Sequence, residues 1–273
     1  MTLFTASLAL AEAEEVIKPP RDAAYQLVWS DEFEKDGPPD STKWESEKGF
    51  ARNEELQWYQ PQNSRCEGGL LIIEAKKEIV PNPYFSKDSR DWRRKRSAAH
   101  YTSGSLITNG RNEWTFGRYE IRAKFKALPG IWPAIWTTGN GRWPHGGEID
   151  LMEFYGGHIL ANFVWAGKWG RDFWQSAKKP VTEFAKNNWD DHFHLWVMEW
   201  NKEKIELYLD GKLLNTLDMK TTVNDDGPKV NPFLSPHRIR LNLAVGANAG
   251  DPGKTEFPQR YAVDYVRIYQ KKP

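Results

Sequence analysis

From Tyr25 onward, apolar and polar residues alternate with a period of two in short runs separated by Gly, Pro, Asn and Asp, and helical periodicity is scarce. Residues two apart on a strand share a face, so each run predicts a half-buried strand and the set predicts an all-β sandwich or barrel. Gly117 to Ala127 shows this best: Tyr119, Ile121, Ala123 and Phe125 point one way, Arg118, Glu120, Arg122 and Lys124 the other. Ile205, Leu207 and Leu209 alternate into Asp210-Gly211, a tight-hairpin signal, and Lys212 to Leu217 returns as the partner strand. Ile239, Leu241, Leu243 and Val245 form another run, and Tyr261 to Tyr269 the last. In His192 to Trp200, Phe193, Leu195 and Val197 fill one face and Trp196, Met198 and Trp200 the other. Both faces are therefore expected to be covered, as in the interior of two stacked sheets.

No internal repeat or low-complexity linker interrupts the pattern, so residues 25–273 read as one domain. Residues 1–24 read as a leader or truncated export signal, apolar over residues 2–11 and ending in Ala11-Glu12-Ala13, without a preceding positive charge. This predicts a secreted, periplasmic or cell-surface protein. Cys66 is the sole cysteine, which removes any intramolecular disulfide and leaves stability to packing. With 38 Lys+Arg against 37 Asp+Glu, the chain lacks the general attraction to nucleic acid or anionic membranes. No apolar run approaches the ~20 residues of a membrane span. The 14 Trp, 13 Phe and 10 Tyr exceed what such a core requires, and flat rings stack on sugar faces.

The chemistry concentrates in Gly146-Gly147-Glu148-Ile149-Asp150-Leu151-Met152-Glu153-Phe154. On a strand, Glu148 and Asp150 share a face while Ile149 and Leu151 enter the opposite layer. Glu153 is out of phase by one residue and returns to that face if Leu151 or Met152 is the extra residue of a β-bulge, a feature over-represented beside active sites. Three clustered carboxylates repel unless some hold protons. A retaining glycosidase uses such a set, because it needs one ionised and one protonated carboxyl about 5–5.5 Å apart. The residues alone also allow a solvated acidic edge strand or a cation site built from oxygen ligands.

The segment GGEIDLMEF resembles the E-x-D-x-x-E signature of glycoside hydrolase family 16, in particular its laminarinase-like branch of endo-β-1,3- and mixed-linkage β-glucanases. The resemblance extends in order through LVWSDEF (27–33), NEELQWY (53–59), GGLLIIEAKKE (68–78), YTSGSLIT (101–108), WTFGRYEIRAKF (114–125), GIWPAIWTTG (130–139) and VDYVRIYQ (263–270). It implies a two-sheet antiparallel jelly roll with an open concave cleft. It implies Glu148 as nucleophile, Glu153 as acid then base, and Asp150 as the residue that tunes the nucleophile. It further implies substrate contacts from Asn53, Trp132 and Trp136 on the glycone side, with Trp143 a further candidate.

Two departures from the family pattern bear on substrate. Where laminarinase-like enzymes tend to read Thr-Leu/Ile-His-Tyr/Trp, this chain reads Asn162-Phe163-Val164-Trp165, so Val164 stands for the usual histidine and Asn162 or Trp165 is expected to replace its contact. In NLAVGANAGDPG, Ala249 stands where a tryptophan is common, which removes one aromatic platform. The run from Arg90 to Arg96 reads as a solvated loop, or, if it borders the cleft, as a partner for sulfate or carboxylate groups. His145, His192 and His194 lack a third ligand at zinc spacing, so no metal is expected in catalysis. Glu32, a carbonyl near Gly69 and Asp264 resemble a structural calcium site of some relatives.

The reading is thus a monomeric retaining endo-glycosidase acting on a polysaccharide, a β-1,3- or mixed-linkage β-1,3-1,4-glucan, with a sulfated or other galactan as runner-up. A non-catalytic glycan-binding jelly roll is the alternative of another class, since a fold alone does not establish chemistry. Transfer to a sugar acceptor would share the first chemical step.

Overall fold

The computed structural model describes residues 24–108, 110, 112–184 and 188–272, so the expected leader lies outside it apart from Ala24. In chain order its strands are β1 (Tyr25–Asp31), β2 (Trp44–Ser46), β3 (Gln57–Tyr59), β4 (Ser64–Glu67), β5 (Leu70–Ala75), β6 (Val80–Pro81), β7 (Ala98–Ala99), β8 (Tyr101–Ser103), β9 (Ser105–Thr108) and β10 (Gly117–Phe125). They continue as β11 (Ile131–Gly139), β12 (Glu148–Tyr155), β13 (His158–Ala166), β14 (Asp172–Pro180), β15 (His194–Trp200), β16 (Lys204–Leu209), β17 (Lys212–Asp218), β18 (His237–Val245) and β19 (Gln259–Lys271). The α-helix among the described residues is one turn, Trp92–Lys95. No helix among them is long and apolar enough to cross a membrane.

Two antiparallel sheets form the body, as the alternation predicts. One runs β17-β16-β15-β10-β19-β5-β4 with β1 also on β19, and the other runs β14-β13-β12-β11-β18-β9-β2. They stack through one apolar core. β10 supplies Tyr119, Ile121, Ala123 and Phe125; β12 supplies Ile149, Leu151, Met152 and Phe154; β18 supplies Ile239, Leu241, Leu243 and Val245. Burying such side chains contributes roughly 1.5–3 kcal/mol each. In the β16–β17 hairpin Asp210 and Gly211 both take positive φ (47° and 78°), the turn that the Asp-Gly signal predicts.

β15 departs from the expectation of a strand between two sheets. Trp196, Met198 and Trp200 enter the core, but Leu195 and Val197 form a separate outer patch with Tyr265 and Tyr208 of the same sheet. A two-layer sandwich gives each strand one inner face, so the second apolar face is covered by neighbouring side chains instead. The guanidinium of Arg122 and the ammonium of Lys124 lie 4.7 and 4.9 Å from the Phe193 ring centroid and cover it in the same way.

The cleft lies on the other face of the second sheet. Across β12, β13 and β14, Glu148 pairs with Val164 and Val164 with Trp174, while Asp150 pairs with Asn162 and Asn162 with Ser176. Directly opposed residues share a face, so these rows project together. Gly139, which ends β11, lets the following loop close against the sheet: a Cβ there would stand 2.1 Å from the Gly146 carbonyl oxygen and 2.9 Å from His237 Nε2. Gly139→Ala is expected to lower the free energy of unfolding by about 2–4 kcal/mol, measured by chemical denaturation, because the clash is with backbone.

Candidate active site

β12 carries the expected bulge. Ala134 and Ile135 of β11 pair with Glu153 and Met152, but Trp136 pairs with Asp150, which leaves Leu151 without a partner on that side. Leu151 and Met152 both enter the core, at 1% and 0% exposure, so two consecutive side chains point inward and Glu153 returns to the face of Glu148 and Asp150. The three carboxylates share a cleft of about 820 Å³.

Their environments separate them electrically. Burial pushes the Glu148 carboxyl up to about 7, opposed by the Trp143 Nε1 donor at 3.1 Å and by the charges of Arg52 and Arg240. Burial pushes Glu153 further, to about 8, aided by repulsion from Glu148 and only partly offset by donors from Trp132 Nε1 (2.9 Å) and Asn162 Nδ2 (3.0 Å). Asp150 is held well above the usual carboxylate range by burial, then by Glu153 and Glu148. Repulsion between them disfavours two charges in one buried site, so the pair favours one ionised and one protonated carboxyl, the two roles that acid/base chemistry needs. The Nδ2 of Asn162 also donates to Asp150 Oδ2 at 3.0 Å, so one amide spans two of the carboxylates.

A cationic recess adjoins them. Arg52 and Arg240 both pair with Glu47, which also accepts from Ser105 Oγ at 2.6 Å. Burial alone would raise Glu47, but the two guanidiniums outweigh it and hold the carboxyl at about 2. Both guanidiniums lie close to the Trp136 ring, 5.2 and 5.0 Å from its centroid, and Trp136 Nε1 donates to Asn242 Oδ1 at 2.7 Å. Asn242 Nδ2 in turn donates to Tyr59 O–H, and that hydroxyl donates to Glu55.

The structure brings Asn53, Trp132, Trp136 and Trp143 to the cleft wall with the carboxylates. Trp132 packs on Tyr155 and on Ala249, so the position that lacks the family tryptophan lies beside it. Asn162 is buried and does not line the cleft; its amide is spent on Asp150 and Glu153, so the expected contact with substrate is corrected to one with the carboxylates. Trp165 does not reach the cleft: alternation from Val164 turns it into the core, where it is 7% exposed and its ring lies against Phe173 and Phe233. The expectation that Trp165 contacts substrate is thereby corrected. Sequence reasoning missed Glu47, Arg52, Glu55, Tyr155, Trp174, Arg240, Asn242 and Asn248, all of which line the cleft. Arg52 and Glu55 flank or fall within the NEELQ block and were within reach; Trp174 lies on an edge strand with no distinguishing pattern.

The basic run is more than a solvated loop. Arg93 donates twice to the Ala51 carbonyl (3.0 and 2.7 Å), and Arg96 donates to the carbonyls of Glu54 (2.7 Å) and Glu55. These bonds hold the 51–55 segment, in which Asn53 and Glu54 both take positive φ, and Arg93 itself lines the cleft. The residues expected for calcium do not fit a divalent cation. Glu32 accepts from Arg267 at 3.0 and 2.7 Å and Asp264 from Arg122 at 2.7 Å, so a cation would have to displace both guanidiniums. Among the described residues no group of three or more His, Cys, Asp and Glu is placed to hold a metal ion.

Comparison with known proteins agrees with this geometry. The chain is 33% identical to a beta-glucanase of Rhodothermus marinus, over 90% of this chain and 85% of that one. A solved structure from work on prominent members of the human gut microbiota, which express endo-acting O-glycanases to initiate mucin breakdown, is 36% identical with a TM-score of 0.84, over 93% of this chain and 94% of that one. The laminarinase catalytic domain of Thermotoga maritima is 32% identical with a TM-score of 0.76, over 91% and 99%. Residues 53–267 match the family described as glycosyl hydrolases family 16. That match spans the carboxylate strand and most of the residues that line the cleft, and the chain belongs to this family.

Proposed function

We propose that the protein is a retaining endo-glycosidase that hydrolyses internal linkages of a β-1,3- or mixed-linkage β-1,3-1,4-glucan. The observation that carries the chemistry is the bulged strand, which presents Glu148, Asp150 and Glu153 on one face of the cleft. In the first step a Glu148 carboxylate oxygen attacks the anomeric carbon as the glycosidic C–O bond breaks, and Glu153 donates its proton to the leaving oxygen. In the second, Glu153 takes a proton from water as the water oxygen attacks the same carbon, and the bond to Glu148 breaks, restoring both groups. Two inversions give net retention. Asp150 and Asn162 position the pair, and Trp143 holds the nucleophile.

The glucan substrate is supported by the Rhodothermus marinus and Thermotoga maritima relatives, which match over most of their length. The carboxylates, with walls on both sides, lie within one chain, which supports action as a monomer. A polymeric substrate supports the secreted or cell-surface location. A sulfated or other galactan is the second reading, and it is less favoured: of the arginines that line the cleft, Arg52 and Arg240 are tied to Glu47 and Arg93 to the Ala51 carbonyl.

Product release from laminarin, mixed-linkage β-glucan, agarose, porphyran, carrageenan and mucin O-glycans tests both readings. Cleavage of a glucan supports the first, and cleavage confined to a galactan or mucin glycan replaces it with the second. Binding without cleavage by wild type and variants alike would return the protein to the lectin class. Glu148→Gln and Glu153→Gln are each expected to lower kcat by about 10²–10⁴-fold without loss of fold.

The pH dependence follows from the same shifts. Activity needs Glu148 ionised and Glu153 protonated, so kcat/KM is expected to rise with pH through about 7 and fall through about 8, a bell whose limbs belong to the coupled pair. Stability responds with the opposite economy. Glu153 is raised from 4.5 to about 8 in the fold, so the folded state binds the extra proton in that window and stability falls as pH rises through it. The melting temperature of Glu153→Gln relative to wild type is therefore expected to increase from about pH 4.5 to about pH 8. A constant difference across that range would contradict the assignment of the raised group.

A further inference from the structure

We propose that Trp174 is the platform of a leaving-group subsite, stacking on the apolar face of the sugar that departs in the first step and of any sugar acceptor that takes its place. The proposal rests on the retaining-glycosidase reading. Trp174 lies on β14 and pairs with Val164, which pairs with Glu148, so indole and nucleophile share one cross-strand row. Two strand spacings separate their backbones by ~10 Å. Between them Val164 is fully buried and short, so nothing polar rises from the sheet at that point. The indole is 50% exposed yet lines the same cleft as the carboxylates, and its Nε1 is anchored to Asp172 Oδ2 at 2.5 Å. A large ring kept in water but held by its edge contributes little to the core and offers a face to a ligand.

The two sides of the carboxylates are chemically unlike, which decides what binds where. On the β11 and β18 side, Arg52, Asn53, Glu55 and Asn242 supply directional polar groups, and the arginines of the basic run brace the segment that bears three of them. That side suits the glycosyl unit, which must stay fixed while it is covalently bound to Glu148. The β13 and β14 side offers Val164 and Trp174, and β14 is the edge of its sheet. Stacking without a fixed hydrogen-bond pattern suits a sugar that must leave and be replaced, since ground-state affinity there would slow release.

The test compares wild type, Trp174→Ala and Trp174→Phe on the polymer that wild type cuts, on the β-glycosyl fluoride of its glycone disaccharide, and in transfer to an added oligosaccharide acceptor. The fluoride leaves as one atom and cannot reach Trp174. For Trp174→Ala the ratio of kcat/KM on polymer to that on fluoride is expected to fall about tenfold, with a parallel fall in transfer yield, and for Trp174→Phe to stay near wild type. Equal losses on both substrates would place the ring on the glycone side or in a structural role, and no loss on either would remove it from binding; both overturn the proposal. A wild type inactive on every glycan overturns the enzyme reading and the subsite with it, a result separate from either outcome in an active enzyme.

Discussion

The geometry of the site depends on one constraint: side chains on a strand alternate faces, so residues 148, 150 and 153 cannot share a face without an extra residue. The bulge at Leu151 and Met152 provides it, and the core fixes it in place. Because Leu151 and Met152 are both buried against the opposing sheet, removing the irregularity would turn one of them into the cleft and lose its apolar burial. The inter-sheet packing therefore holds the carboxylates together against their repulsion.

That repulsion is then divided unequally. Burial raises both carboxyls; at Glu148 it is opposed by the Trp143 indole and the field of two arginines, and at Glu153 by the Trp132 indole and the Asn162 amide, while the field of Glu148 adds to the rise. The arginines themselves are tied to Glu47, so their positive charge reaches Glu148 without being free to collapse onto it. The outcome is a pair of like residues, five apart in sequence, in unlike surroundings.

The walls of the cleft are built with the same indirection. The 51–55 segment has two consecutive non-glycine residues with positive φ, a conformation that costs about 1–3 kcal/mol per residue unless surroundings enforce it. Arg93 and Arg96 enforce it from a loop some forty residues later in the chain by capturing backbone carbonyls. The opposing wall is a bare edge strand with Trp174, and the difference gives the cleft a direction.

The amino-acid sequence by itself determined the strands, their inward faces, the Asp-Gly turn, the bulge and the identity of the acidic trio. Each of these follows from alternation or from residues close together in the chain, and period and local turn chemistry act over a few residues. Asn53, Trp132, Trp136 and Trp143 were legible through the family resemblance. Only the tertiary structure decided which face of β13 meets the core and so buries Trp165, that Trp174 shares a row with Glu148, that Arg93 and Arg96 grip the 51–55 segment, and that Glu32 and Asp264 are taken by arginines. Those outcomes depend on which strands become neighbours and on pairings such as Arg93 with Ala51 and Arg267 with Glu32, 42 and 235 positions apart. Such distances are set by the stacking of two sheets, and nothing in the local pattern encodes them.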